Sequence, residues 1–205
     1  MNNESEKREH FRQMYQGQPP WDVGHVQSAL AEIADTVHGD VLDAGCGTGE
    51  NALFFAERGH DVYGIDFLEE PIQLAKEKAT ERNLDACFLV MDAMALGELP
   101  RQFDTVIDCG LFHTLSDEDR SRYVVALAEA LKPGGQVWMM CFSDQEPGEE
   151  GPRRITPAEI HEAFSSGWTV ERLDLTKFET SPHAKHARFS PGGPIAYRAL
   201  IRRAP

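Results

Sequence analysis

The sequence predicts an α/β fold, a doubly wound and mostly parallel sheet of seven strands with the last strand antiparallel. Three observations predict it. Seven short apolar runs, most of them rich in β-branched residues, are spaced along the chain. Helical periods fill the intervals between the first five, and strand–helix–strand repetition puts helices on both faces of a parallel sheet. The last two runs are joined by 176–193, which has no helical period, whereas a parallel pair needs a long and usually helical crossover.

Taken in order, residues 1–30 stand outside this alternation. EKREHFRQMYQ sets Phe11 at three- and four-residue spacing from Met14 and Tyr15, a short amphipathic helix. QGQPPWDVGH breaks it with two prolines and presents Trp21, so this arm either packs on the core or forms a lid over a ligand mouth. Strands follow at 40–44, 61–65, 86–90, 104–108, 135–142, 168–175 and 194–202. Helices are expected at 49–58, 69–82 and 117–131, the last with Tyr123, Leu127, Ala130 and Leu131 on one face and a stop at Pro-Gly-Gly. No repeat or linker divides the chain. Residues 1–205 read as a single domain, an arm over 1–30 and a core over 31–205.

A chain of 205 residues with 41% hydrophobic and 26% charged residues can bury a sizeable core. Its net charge of −14 repels phosphate backbones and anionic headgroups, which argues against nucleic acid and membrane partners. No apolar run reaches membrane-span length and the first residues are charged, so a cytoplasmic location is expected. Cys46, Cys87, Cys109 and Cys141 lack metal-ligand spacing and read as reduced thiols, with no metal assigned. The length suits a monomer or a weak homodimer.

The loop AGCGTGEN after the first strand falls where a doubly wound sheet binds ligands. Gly45, Gly47 and Gly49 let backbone approach a ligand closely, but Glu50 stands where a dinucleotide fingerprint carries its third glycine. Asp43 argues further against a dinucleotide. A carboxylate there repels pyrophosphate and welcomes a cation. Asp66, closing the second strand, is the usual acceptor for a ribose diol. The ligand implied is a nucleoside with a ribose and a positive charge but no phosphate, which S-adenosylmethionine satisfies.

VLDAGCGTGE, the acid of GID at 64–66, MDAMAL at 91–96, FDTVIDCGLFHTL at 103–115 and LKPGGQV at 131–137 occur in order. With these motifs the chain resembles the class I S-adenosylmethionine-dependent methyltransferases, over roughly residues 20 to 203. PPWDVGHVQ and CFSDQEPGEEGPRRIT further resemble a bacterial small-molecule branch, related to thiopurine, thiol and halide methyltransferases and to the mycobacterial heterocyclic toxin methyltransferase. The resemblance implies a Rossmann-like methyltransferase fold and methyl transfer to an O, N or S atom of a small molecule. It also implies roles. Asp43 and the Gly45–Gly49 backbone, with Cys46 and Thr48, would hold the methionine part. Asp66 would take the ribose and Phe67 the adenine ring. Asp92 and Ala93 would meet the adenine edge, and Asp108 and Cys109 the ammonium end. Trp21 joins the candidate cofactor contacts if the arm is a lid rather than packing.

Each residue has a plainer reading. Asp43 could cap the following turn, Asp66 could be a turn acid, and Asp92 could N-cap a helical turn. Cys46 reads as a small neighbour of the ligand rather than a nucleophile. His113, just after the fourth strand, is the first candidate general base for an acceptor that must lose a proton; otherwise it anchors the loop. His25, His183 and His186 are lesser candidates. Three competing functions remain: a nicotinamide oxidoreductase, disfavoured by Asp43 and Glu50; a nucleic-acid methyltransferase, disfavoured by charge; and a protein that binds the nucleoside without turnover.

Overall fold

The computed structural model describes residues 3–181 and 189–205. Seven strands form one sheet: β1 (Val41–Ala44), β2 (Val62–Asp66), β3 (Ala86–Val90), β4 (Phe103–Cys109), β5 (Leu131–Phe142), β6 (Trp168–Lys177) and β7 (Ile195–Arg203). Their order is β3-β2-β1-β4-β5-β7-β6, with β7 antiparallel to both neighbours and the first five strands parallel. The expected entry of the last strand is what the sheet shows. The order reverses between β1 and β4, so the crevice for a ligand lies beyond their carboxyl ends.

Helices α1 (Asn3–Tyr15), α2 (Ser28–Ala31), α3 (Glu50–Ala56), α4 (Glu69–Arg82), α5 (Asp117–Ala130) and α6 (Pro157–Ala163) complete the fold. Among the described residues no helix is long and apolar enough to cross a membrane. Two departures from the sequence reading have local causes. Pro-Gly-Gly does not separate α5 from β5. Leu131 is already extended and pairs with Phe103, and the register slips before Gln136 meets Thr105, so the motif forms an irregularity inside the ladder. Helix α6 was not expected, since it has little apolar period. It starts on a capping box, in which the Thr156 hydroxyl accepts from the Glu159 amide and the Glu159 carboxylate accepts from the Thr156 amide.

The strand pleat divides the core. Leu42, Ala44 and Val106 face α5 and α6, where Tyr123, Leu127 and Ile160 cover them. Val41, Ile107 and Trp138 face α2, α3 and α4, against Leu30, Leu53, Phe55 and Ile72. Each such side chain taken fully from water contributes about 1.5–3 kcal/mol. Side chains alternate along a strand, so Asp43 shares the face of Val41 and enters the apolar side beneath α3. That position makes the carboxylate unusual.

Candidate active site

Asp43 is completely buried, and neither of its carboxylate oxygens has a hydrogen-bond partner. The Ala52 amide pulls towards the charged form without reaching hydrogen-bond geometry, and burial outweighs it, pushing the carboxyl up to about 7. The neighbouring charges of Asp108 and Asp66 add to that rise. Both neighbours are raised to about 6, again chiefly by burial. Asp108 uses one oxygen to accept from the amides of Leu111 (2.9 Å) and Phe112 (3.3 Å), while its other oxygen is unpartnered. Asp43 and Asp108 thus keep buried acceptors without partners, Asp66 lies beside them, and a cluster of this kind suits a cation.

The loop between β1 and α3 shapes the space around them. Gly47 has φ of 53°, and a Cβ placed on it would lie 2.8 Å from the Tyr15 hydroxyl, so only glycine fits. The Gly47 amide donates to Asp66 at 3.1 Å, and the other Asp66 oxygen accepts from Leu68 at 3.0 Å. Asp66 thus ties the glycine loop to the end of β2, while each oxygen keeps capacity for a further donor. Gly45 and Gly49 also have positive φ, and Cys46 between them is a buried thiol raised by burial and by Asp43. The Thr48 hydroxyl donates to Asp22 at 3.1 Å and accepts from Lys78 at 2.8 Å. Glu50 turns outward from the loop to pair with Lys78 and Arg82, each at 2.8 Å.

The arm stands directly over this loop. Trp21 Nε1 donates to the Tyr15 hydroxyl at 3.1 Å, and Phe11 meets both Trp21 and Phe67 edge-on at 5.7 Å. Arg8 donates to the Phe67 carbonyl, lies 5.2 Å from the centre of its ring, and reaches within 4.0 Å of Asp92. Asp92 caps the short 3₁₀ turn Ala93–Glu98, accepting from Met94 at 2.9 Å, with Ala93 buried at its start. Tyr15, Arg8 and Phe11 were not singled out from sequence as site residues. Their helical spacing shows only an apolar face, and nothing local says what that face covers.

Cys109 closes β4 beside Asp43, its thiol raised by burial and lying against Asn51 of α3. Next to it, His113, Phe142 and Phe178 meet at ring separations of 5.1 to 5.9 Å, at the carboxyl ends of β4, β5 and β6. The His113 Nδ1 accepts from the Phe142 amide at 3.0 Å. The ring proton is therefore assigned to Nε2. Burial, with Arg120 and Arg154 nearby, lowers the imidazole to about 3, so it stays neutral. His25 is exposed, at 3.9 Å from Glu179. His183 and His186 lie outside the described residues. A separate open cleft of about 540 Å³, lined by Ser28, Glu32, Gln145, Leu175 and Lys177, lies on the β6–β7 side and holds none of the buried acids.

Comparison with known proteins agrees with this geometry. Residues 41–135 match the family model described as a methyltransferase domain. The chain is 34% identical to a 2-heptyl-1-hydroxyquinolin-4(1H)-one methyltransferase of Mycobacteroides abscessus, over 93% of this chain and 84% of the relative. It superposes with a TM-score of 0.84 and 32% identity on a protein solved in work on the conversion of a disulfide bond into a thioacetal group during echinomycin biosynthesis, covering 96% and 92% of the two chains. Magnesium protoporphyrin IX methyltransferase from Synechocystis, solved with S-adenosylmethionine bound, matches in fold alone, at a TM-score of 0.63 and 24% identity over 87% and 77% of the chains. With buried acids and a glycine loop suited to a cationic nucleoside, the chain belongs to the class I S-adenosylmethionine-dependent methyltransferases.

Proposed function

We propose that this enzyme methylates an O or N atom of a small aromatic acceptor, a phenol or N-heterocycle, with a thiol as a further class. The observation that carries the cofactor half of this reading is the orphaned Asp43 carboxylate under the glycine loop. When bound, S-adenosylmethionine supplies an electrophilic methyl group on a sulfonium. Asp43, Asp108 and Cys109 would surround its ammonium end, and the Gly45–Gly49 backbone with Cys46 and Thr48 its amino-acid part. Asp66 would accept from the ribose hydroxyls, Phe67 would pack on the adenine, and Asp92 with Ala93 would meet its edge. Trp21, with the arm it belongs to, would exclude water above.

The acceptor half rests on the aromatic rim of His113, Phe142 and Phe178 beside Cys109, whose faces suit a flat ring. The hydroxyquinolinone named for the Mycobacteroides relative is a ligand of that shape. The net charge of −14 supports a small acceptor over nucleic acid. Holding the acceptor atom in line with the methyl group is the main task, and such alignment supplies at most about 7–11 kcal/mol. We assign His113 to positioning rather than to proton removal, because its one ring lone pair accepts from the Phe142 amide. Residues 1–205 would act as a single domain, monomeric or weakly dimeric.

The test is incubation with methyl-labelled cofactor and a panel of 2-heptyl-1-hydroxyquinolin-4(1H)-one, simple phenols, N-heterocycles and thiols, read by mass. Transfer to an aromatic O or N supports the reading. Tight cofactor binding with no transfer to any of them would instead make the protein a nucleoside-binding module.

A further inference from the structure

Gln27 is buried, 4% exposed, although no part of the cofactor reading uses it. Its side-chain amide closes a two-way pair with the backbone just beyond β6: Nε2 donates to the Glu179 carbonyl at 3.1 Å, and the Glu179 amide donates to Oε1 at 2.8 Å. Its own backbone amide donates to Asn51 Oδ1 at 3.2 Å, in the first turn of α3. The flanking residues repeat the bridge. Asp22 takes the Thr48 hydroxyl on the glycine loop, while the Pro20 carbonyl accepts from Ser181 at 2.7 Å and the Ser28 amide donates to the Glu179 carboxylate at 2.9 Å. Residues 20–28 are therefore bonded on one side to the cofactor loop and its helix. On the other side they hold the segment that carries Phe178 into the acceptor rim.

A side-chain amide that matches a residue's backbone in both directions fixes the partner's position and orientation together, and its loss leaves the half-buried N–H and C=O of Glu179 without that partner. Phe178 is one residue away from that peptide, packed on His113 and Phe142. We propose that Gln27 is a positioning residue for methyl transfer, coupling occupation of the cofactor loop to assembly of the acceptor rim. The inference rests on the cofactor reading above. It predicts an order of events: with residues 20–28 fastened to Thr48 and Asn51, the Glu179–Ser181 segment is held, and only then is the Phe178 face in place for the acceptor.

The experiment is amide hydrogen exchange on the full chain, with and without S-adenosylhomocysteine, the demethylated cofactor. In the unaltered protein the nucleoside slows exchange at the Gly47 and Leu68 amides, and at Glu179 and Ser181 by about tenfold or more. In Gln27→Met, which keeps the side-chain length but loses both amide bonds, slowing persists at Gly47 and Leu68 and is lost at Glu179. The same variant raises the KM for 2-heptyl-1-hydroxyquinolin-4(1H)-one about tenfold while the nucleoside Kd stays within about threefold. Slowing at Gly47 and Leu68 without slowing at Glu179 and Ser181 in the unaltered protein overturns the coupling and leaves the cofactor reading standing, and that arm requires no variant to fold. Full retention of Glu179 slowing in a folded Gln27→Met also overturns it. Absence of slowing at Gly47 and Leu68 overturns the cofactor reading and the coupling with it.

Discussion

In the proposed cofactor site, Asp43 is costly to bury and would make the site selective for what fills it. Its folded-state carboxyl at about 7 lies above the ordinary value of 3.8, so the folded chain holds this proton more tightly than the unfolded one. The sign follows. Stability from this group is present below the unfolded value, declines as pH rises towards 7, and is fully lost above it. Asp43→Asn should therefore raise the melting temperature of the ligand-free protein at pH 8, by about 2–4 °C for each kcal/mol of relieved penalty, with a smaller gain at pH 5. An unchanged or lower melting temperature at pH 8 would mean that the carboxylate is better solvated than its burial implies. The same variant should weaken S-adenosylhomocysteine binding by about 1.5–3 kcal/mol, the size of a charged hydrogen bond. His113 behaves differently. His113→Ala removes the acceptor of the Phe142 amide and should destabilise the fold by about 1–3 kcal/mol. The loss of turnover should be similar for two phenols of different acidity. A loss that grows with the less acidic phenol would restore proton removal to this residue.

Helix α1 is the element whose role the chain hides best. Phe11, Met14 and Tyr15 read correctly as one helical face, but the face alone did not distinguish packing from closure. The structure sets Tyr15 over Gly47 and Arg8 beside Phe67, contacts about 30 to 60 residues apart in sequence that no local period encodes. We expect protease cuts within residues 1–30 to slow when S-adenosylhomocysteine is added, and cutting that ignores the nucleoside would mark the arm as fixed packing. Gly47→Ala should release the arm, since its methyl group meets the Tyr15 hydroxyl and its backbone is left-handed. Cleavage in 1–30 should then accelerate. The strands were legible because each carries its own apolar run; the strand bounds agree with those runs to within a residue or two, except at the start of β5. There, Leu131 pairs with Phe103 across a Pro-Gly-Gly irregularity that sequence reads only as a helix stop. Helix α6 escaped notice because its start is held by hydrogen bonds of Thr156 and Glu159, not by an apolar stripe.

For the molecule as a whole, the sheet order concentrates chemistry at one edge. Asp43, Asp66 and Asp108 end or nearly end β1, β2 and β4, which is why three acids distant in the chain share one buried space. Their positions were legible because strand ends and glycine turns leave marks in sequence. Their elevation was not, since it comes from burial and, for Asp43, also from the charges of Asp108 and Asp66. The proposed acceptor rim was only partly legible. His113 stood out as a histidine after a strand, whereas Phe142 and Phe178 look like ordinary core aromatics until β5 and β6 take their places on either side of β7. A site tuned to a cation should reject a pyrophosphate, and this is the central claim. Calorimetric titration of the full chain with S-adenosylhomocysteine and with NAD, at pH 6 and pH 8, tests it most directly. The account predicts that the nucleoside binds at both pH values, about tenfold more weakly per unit of pH below 7, with proton release at pH 6, and that NAD gives no binding heat. Micromolar binding of NAD with no heat from S-adenosylhomocysteine would contradict it.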